Sequence, residues 1–243
     1  MKKTATFYGV GVGPGDPELI TVKALRVLEE CGVIAVPTAK GSTGDAEPRA
    51  LEVVRKALKG LDTKEVMGLF LPMTRDEEVL RASREEAASR VVEKLREGRD
   101  VSFITLGDPM LYSTFSYLVP LVRALLPGAS VRVVPGVSSI SAAASAGGTP
   151  LAESGEKVII VPALHDLKGL KPLFESFDTV VLMKVNRDVD ALVKLLEEAG
   201  LAERALFVSK VGWPEEEVIR DLRELKDRKI DYFSMVIVRA RKA

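Results

Sequence analysis

Residues 9–24 read GVGVGPGDPELITVKA, and residues 104–118 read ITLGDPMLYSTFSYL. Each stretch carries Gly-Asp-Pro: Gly15-Asp16-Pro17 in the first and Gly107-Asp108-Pro109 in the second. Each follows a strand-like run, TFYGVGVG at 6–13 and VSFITLG at 101–107. Asp is a favoured helix N-cap, Pro suits the first helical position, and Gly lets backbone approach closely. The pair predicts one device built twice: a strand, a glycine loop and a helix N-terminus. Loops that follow the strands of a parallel α/β sheet are where ligands sit, so both devices are expected at the mouth of one sheet.

Outward from these loops, strand-like and helix-like runs alternate. A helix is expected from about Pro17, with Ile20, Ala24, Val27 and Leu28 on one face. A short strand at 33–36, a polar loop at 37–48 and a helix marked by Leu51, Val54 and Leu58 follow. Residues 66–71 form a third strand, and Ala88, Val91, Val92 and Leu95 mark a helix closed by Gly98. The strand at 101–106 leads to a helix face of Leu111, Phe115, Leu118, Val122 and Leu125, with Pro120 expected to kink it. Residues 131–134 are the fifth strand. Such alternation implies a largely parallel sheet. The chain then turns small and polar at 147–156, GGTPLAESGE. This divides an N-terminal α/β domain, 1–148, from a C-terminal one, 157–243. Strands are expected there at 158–161, 179–183, 206–209 and 233–239, and a helix on Val189, Leu192, Val193 and Leu196. The last strand has no helix after it, which predicts a mixed sheet.

The 243 residues suit two small domains or one large one, and 47% hydrophobic residues suffice for a full core. No apolar run approaches the ~18 residues that cross a bilayer, and residues 6–13 are too rich in glycine for a signal peptide. A cytoplasmic protein is expected. Lys plus Arg and Asp plus Glu balance at 35 each, which argues against broad capture of nucleic acid but leaves room for a local basic pocket. One cysteine, Cys31, and one histidine, His165, exclude an internal disulfide and a four-ligand Cys/His zinc site, and no metal is expected. Cys31 reads as a small buried hydrophobe and His165 as a surface residue. Asn186 is the one Asn, Gln is absent, and 29% of residues are charged. That composition suits a heat-adapted source and predicts an unfolding midpoint above the roughly 45–65 °C of mesophile domains.

Glycines 9, 11, 13 and 15 invite a dinucleotide-binding reading, but G-x-G-x-x-G fails in both registers, at Pro14 and at Asp16. Neither a Walker sequence nor a G-x-S-x-G elbow is present. With a single histidine, acid–base chemistry near neutral pH would need tuned carboxylates, lysines or tyrosines. A reaction that asks little of side chains fits better, and methyl transfer from S-adenosylmethionine is one. There the protein aligns donor and acceptor and excludes water.

Five segments resemble the tetrapyrrole methylases: 9–24, 104–118, VVPGVSSISAAAS at 133–145, VVLMKV at 180–185 and YFSMVIVRA at 232–240. The resemblance runs nearly the whole chain in order. Within the family it is nearest the precorrin-2/cobalt-factor II C20-methyltransferases, through AVPTAKGSTGDAEPRALEVV at 35–54, LFLPMTRDEEVL at 69–80 and YSTF after Gly-Asp-Pro. It implies two α/β domains with the donor in a cleft between them, a homodimer, and methylation of meso carbon C20 on a porphinoid in the cobalamin (vitamin B12) pathway. Conjugation would make that carbon the nucleophile. Carried over by position, the donor contacts are Pro14, Leu106, Gly107, Asp108, Leu111, Ser113, Thr114, Ser138, Ser139, Met183, Val211 and Ser234. The segment FVSKVGWPEE at 207–216, which contains Val211, departs from the family's usual pattern.

Plainer roles stand beside these. Asp16 and Asp108 also read as helix caps, Met183 as core, and Ser138 and Ser139 as caps of the following helix. Tyr112 is the side chain nearest the chemistry, as a hydrogen-bond donor or pocket wall or as a catalytic group. Lys40, Arg49, Arg75 and Lys184 are candidates for the acceptor's carboxylates, or solvated surface charges. The rivals are a sister methylase acting at another ring carbon or on another substrate, a non-catalytic small-molecule binder, and a nucleotide enzyme.

Overall fold

The computed structural model describes residues 5–39, 47–162 and 167–240; Lys40 and His165 lie outside the described residues. The chain divides into two compact units, 1–138 and 139–243.

The first unit runs β1 (Thr6–Gly11), α1 (Val22–Glu30), β2 (Val33–Thr38), α2 (Arg49–Ala57), β3 (Glu65–Phe70), α3 (Glu77–Arg96), β4 (Val101–Thr105), α4 (Phe115–Leu125) and β5 (Ser130–Val134). The strands form one sheet in the order β3-β2-β4-β1-β5, every pair parallel, with Gly9 level with Phe103 and Val133. The chain moves from β1 outward through β2 to β3, then returns to β4 and crosses β1 to β5. Its direction of winding therefore reverses where β4 meets β1. Right-handed crossovers put α1 and α2 on one face and α3 and α4 on the other; α3 and α4 do pack together. Alternation along the strands serves both faces. Phe7, Ala35, Leu69 and Phe103 share a core with Ala88, Val91 and Val92 of α3 and Phe115, Leu118 and Val122 of α4. Val10, Ile34, Val36 and Ile104 point the other way and are equally buried, as are Ala24, Leu28, Val53 and Val54 on α1 and α2. Gly9 is required by packing: a Cβ there would lie 2.5 Å from the Phe115 ring.

Neither Asp-Pro opens an α-helix. Asp16 accepts the Glu18 N–H at 2.9 Å and caps a single 3-10 turn, Pro17–Leu19, which Ile20 ends in extended backbone. Thr21 is the cap of α1, its hydroxyl accepting the Ala24 N–H at 3.1 Å. After Asp108-Pro109 the chain stays irregular, with Tyr112 in the left-handed region at φ 51°, and α4 begins six residues later, at Phe115. Leu111 thus lies before the helix it was expected to join, and Leu125 is exposed. Asp108 instead spends its carboxylate on two loop N–H groups, one of them 28 positions away, as described below.

The second unit runs α5 (Ser139–Ala146), β6 (Val158–Val161), α6 (Leu170–Ser176), β7 (Thr179–Met183), α7 (Val189–Glu198), β8 (Ala205–Ser209), β9 (Glu217–Ile219) and β10 (Ser234–Arg239). Its sheet is mixed, in the order β6-β7-β10-β8-β9, with β6 and β7 parallel and the other pairs antiparallel. Val180, Leu182, Phe207, Val236 and Val238 form its core with Phe174 of α6 and Leu192, Val193 and Leu196 of α7. Residues 147–156 are fastened to this unit. Arg220 donates to the Gly147 carbonyl. Arg239 donates to the Pro150 and Leu151 carbonyls and pairs with both Glu156 oxygens at 2.7 and 2.8 Å. Two elements went unread in the sequence: α6, which is short and contains Pro172, and β9, three residues among charges.

Candidate functional site

Three loops leave the carboxyl ends of the adjacent strands β4, β1 and β5, at the point where the winding reverses. Open α/β sheets bind ligands in that place. The loops are joined to one another. Val12 donates to the Thr105 carbonyl at 3.0 Å, and Gly107 to the Gly13 carbonyl at 2.8 Å, an isolated bridge beyond the regular strands. A Cβ on Gly136 would lie 2.2 Å from the Gly107 oxygen, and one on Gly11 would lie 2.5 Å from that same oxygen and 2.6 Å from the Gly136 nitrogen. Glycine at 11 and 136 is therefore a steric requirement for the loops to meet. Gly13 and Gly107 also take positive φ, 80° and 67°.

Asp108 ties the third loop in. Its Oδ1 accepts the Met110 N–H at 2.8 Å and its Oδ2 accepts the Gly136 N–H at 3.0 Å. Ser113 is buried and works in the same way: its hydroxyl donates to Thr105 Oγ1 at 3.3 Å and accepts the Phe115 N–H at 3.2 Å, which seats α4 against β4. Around these ties lie buried Pro14, half-buried Leu106, Leu111, Thr114 and Ser138, and half-exposed Tyr112. Thr114 is the N-cap residue of α4, and its side chain makes no capping hydrogen bond. The first-unit candidates therefore converge, with Asp108 and Ser113 as fasteners of the loops.

Arg49, the first residue of α2, and Arg75, exposed just before α3, follow β2 and β3. They belong to the same edge of the sheet, on the β4 side and away from β5. Glycine loops and cations thus divide one edge between them.

Met183, Lys184, Val211 and Ser234 of the second unit lie at one edge of its sheet. Met183 ends β7 level with Met235 of β10, and Ser234 opens β10 level with Ser209 at the end of β8. Ser234 is buried and donates its hydroxyl to the Val185 carbonyl at 2.8 Å, closing the turn after β7. Val211 is buried two residues beyond β8, Lys184 follows Met183, and Ser139 is the first residue of α5.

The first-unit mouth therefore combines glycine backbone and the aliphatic Pro14, Leu106 and Leu111 with the Asp108 carboxylate, the hydroxyls of Ser113, Thr114 and Ser138, and Tyr112. The Asp108 carboxylate brings a negative charge that suits a cationic donor. Among the described residues no group of three His, Cys, Asp or Glu is placed to hold a metal, and no helix is long and apolar enough to cross a membrane. A groove of about 390 Å³ lined by Val92, Glu93, Arg96 and Leu125 lies at the carboxyl ends of α3 and α4, the opposite edge of the sheet.

Fold and loops together define a two-unit α/β protein whose candidate site lies at the switch point of its first sheet. Residues 6–226 match the family Tetrapyrrole (Corrin/Porphyrin) Methylases, and the chain belongs to that family. It is 37% identical to a probable cobalt-precorrin-2 C(20)-methyltransferase of Methanocaldococcus jannaschii, over 96% of this chain and 95% of the relative. It is 34% identical to a cobalt-precorrin-2 C(20)-methyltransferase of Salmonella typhimurium, over 95% and 94%. The crystal structure of a uroporphyrin-III C-methyl transferase from Thermus thermophilus complexed with S-adenyl homocysteine superposes with a TM-score of 0.64, covering 96% of this chain and 97% of that one; at 24% identity it shares the fold.

Proposed function

We propose that the chain transfers a methyl group from S-adenosylmethionine to meso carbon C20 of precorrin-2 or its cobalt form, in cobalamin biosynthesis. The observation that carries this reading is the mouth closed by Gly11, Gly107 and Gly136 at the winding reversal of the first sheet. The names of the two relatives at 34% and 37% identity give it its acceptor.

S-adenosylmethionine, when bound, supplies a methyl group made electrophilic by its sulfonium. The chain's own work is to hold, aim and dry. Pro14, Leu106, Gly107, Leu111, Thr114 and Ser138 hold the donor, while Asp108 and Ser113 keep the loops in register for it. Met183, Val211, Ser139 and Ser234 keep the donor role given by the family resemblance, Ser234 through the turn it closes. The conjugated acceptor supplies its own electron pair: C20 takes the methyl, the methyl–sulfur bond breaks to leave neutral S-adenosylhomocysteine, and the C20 proton departs afterwards, so no strong base is needed for the attack itself. Tyr112, held out at φ 51° with 52% of its surface exposed, is the catalytic side chain, facing the acceptor as donor or wall. Arg49 and Arg75, with Lys40 and Lys184, take acceptor carboxylates. The working form is a cytoplasmic homodimer, which a sedimentation mass of a single chain would contradict.

The test is incubation with methyl-labelled S-adenosylmethionine and precorrin-2 or its cobalt form, with NMR of the product. Label at C20 supports the reading. Label at another ring carbon makes the chain a sister methylase, and binding without turnover on either acceptor makes it a binding protein.

A further inference from the structure

Two lysines of the second unit occupy matching positions. Lys184 follows β7 and Lys210 follows β8, the strands on either side of β10. Both take the left-handed conformation, at φ 58° and 49°, which an L side chain adopts at a cost. Both anchor to the entry of β10: Lys184 N–H donates to the Ser234 carbonyl at 2.8 Å and Lys210 N–H to the Phe233 carbonyl at 2.7 Å. Between them, just before β10, stand Tyr232 and Phe233. Their rings meet edge to face with centroids 5.5 Å apart, and each residue is 38% exposed. Lys184 Nζ lies 5.3 Å from the Tyr232 ring centre. Lys210 Nζ lies 3.7 Å from an Asp231 carboxylate oxygen, at the loose limit of an ion pair.

A single exposed aromatic needs no explanation. A paired, solvent-facing set with a strained lysine on each side does, since such strain collects at binding sites. Resting on the acceptor reading above, we propose that Lys184, Lys210, Tyr232 and Phe233 are the second unit's recognition surface for that acceptor. The rings lie against the edge of a flat conjugated macrocycle, and the two ammonium groups take its carboxylate side chains. Met183 and Val211, the neighbours of these lysines, are assigned to the donor, and methyl transfer requires donor and acceptor side by side.

Asn adopts the left-handed region more readily than other side chains, so Lys184→Asn with Lys210→Asn removes both charges and keeps the backbone. The full chain and this double variant are titrated with a water-soluble octacarboxylate porphyrin, followed by its absorbance, and with S-adenosylhomocysteine by calorimetry. The double variant is expected to bind the porphyrin at least about tenfold more weakly, and S-adenosylhomocysteine within about twofold of the parent. Unchanged porphyrin affinity overturns the assignment. Loss of S-adenosylhomocysteine affinity in parallel also overturns it, by giving the lysines to the donor. A parent chain that binds S-adenosylhomocysteine but no polycarboxylate porphyrin overturns the acceptor reading itself, and this assignment with it.

Discussion

Asp108 and Gly136 are joined across 28 positions of sequence by one hydrogen bond, Gly136 N–H to Asp108 Oδ2 at 3.0 Å, and the other carboxylate oxygen holds Met110 N–H in the same loop. One side chain thus fixes the loop after β4 against the loop after β5. Asp108→Ala removes the acceptor of both bonds. Both bonds are present without ligand, and a hydrogen bond to a charged group contributes about 1.5–3 kcal/mol to stability, so the thermal midpoint should fall by a few degrees, and S-adenosylhomocysteine affinity should fall about tenfold or more as the loops lose their register. Asp108→Asn keeps one acceptor oxygen and should fall between. Calorimetry on the three proteins checks this; unchanged affinity in Asp108→Ala would release the residue from the site.

Gly136→Ala is a test of shape alone. Its Cβ would meet the Gly107 carbonyl oxygen and the Gly11 backbone, neither of which can rotate away. The substitution should destabilise the first unit by about 1–3 kcal/mol and abolish measurable donor binding. Gly98→Ala is a control with open space around its Cβ; at φ 80° it carries backbone strain and no clash, so it should lower stability and spare donor binding. Urea titration and calorimetry on the two variants read both effects.

Acid stability should depend on Glu156. The Arg239 guanidinium, followed by the Glu153 N–H, holds this carboxylate below its ordinary range. A carboxylate with a depressed native pKa adds stability above its unfolded value, and that stability is lost as pH falls through the native one. The midpoint of the wild-type chain should therefore drop as pH is lowered below about 4. In Glu156→Gln that part of the drop disappears, at the cost of a lower midpoint at pH 7. A pH series by scanning calorimetry decides it; parallel curves for the two proteins would contradict it.

Alkaline stability carries the opposite sign at Cys31. The residue is the C-cap of α1 and buried, and burial first, then the Asp100 carboxylate, pushes its thiol from 9.0 to about 12. Below the ordinary value the thiol is neutral in both states. As pH rises towards 12 the unfolded chain ionises first, and stability is lost over that window. The native thiol should be inert to a disulfide reagent at pH 8 and react on unfolding. Fast native labelling would contradict its burial.

The strands and both core faces were legible because runs such as 33–36, 101–106 and 179–183 are β-branched and apolar, and helix stripes such as Ala88, Val91, Val92 and Leu95 repeat at the helical period. The failure of the dinucleotide spacing was legible too. The helix starts were misread. Asp16 does cap, but a 3-10 turn, and Thr21 restarts the chain. Asp108 looks like a cap until its distant partner, Gly136, is known. Ser113 and Ser234 read as ligands in a one-dimensional motif, while in three dimensions their hydroxyls also fasten backbone at the two candidate edges. Arg239 and Lys210 gave no local signal, because what matters about each is a contact made far along the chain.

Seating of the donor on the joined loops of β1, β4 and β5 is what the mouth is expected to do. It is tested most directly by a crystal structure of the chain with S-adenosylhomocysteine. Density lying against Gly107 and Leu106, with the Asp108–Gly136 bond intact beneath it, is the predicted result. Density in the groove of Val92, Arg96 and Leu125 at the far edge of the sheet, or none at saturating concentration, would remove the donor from these loops.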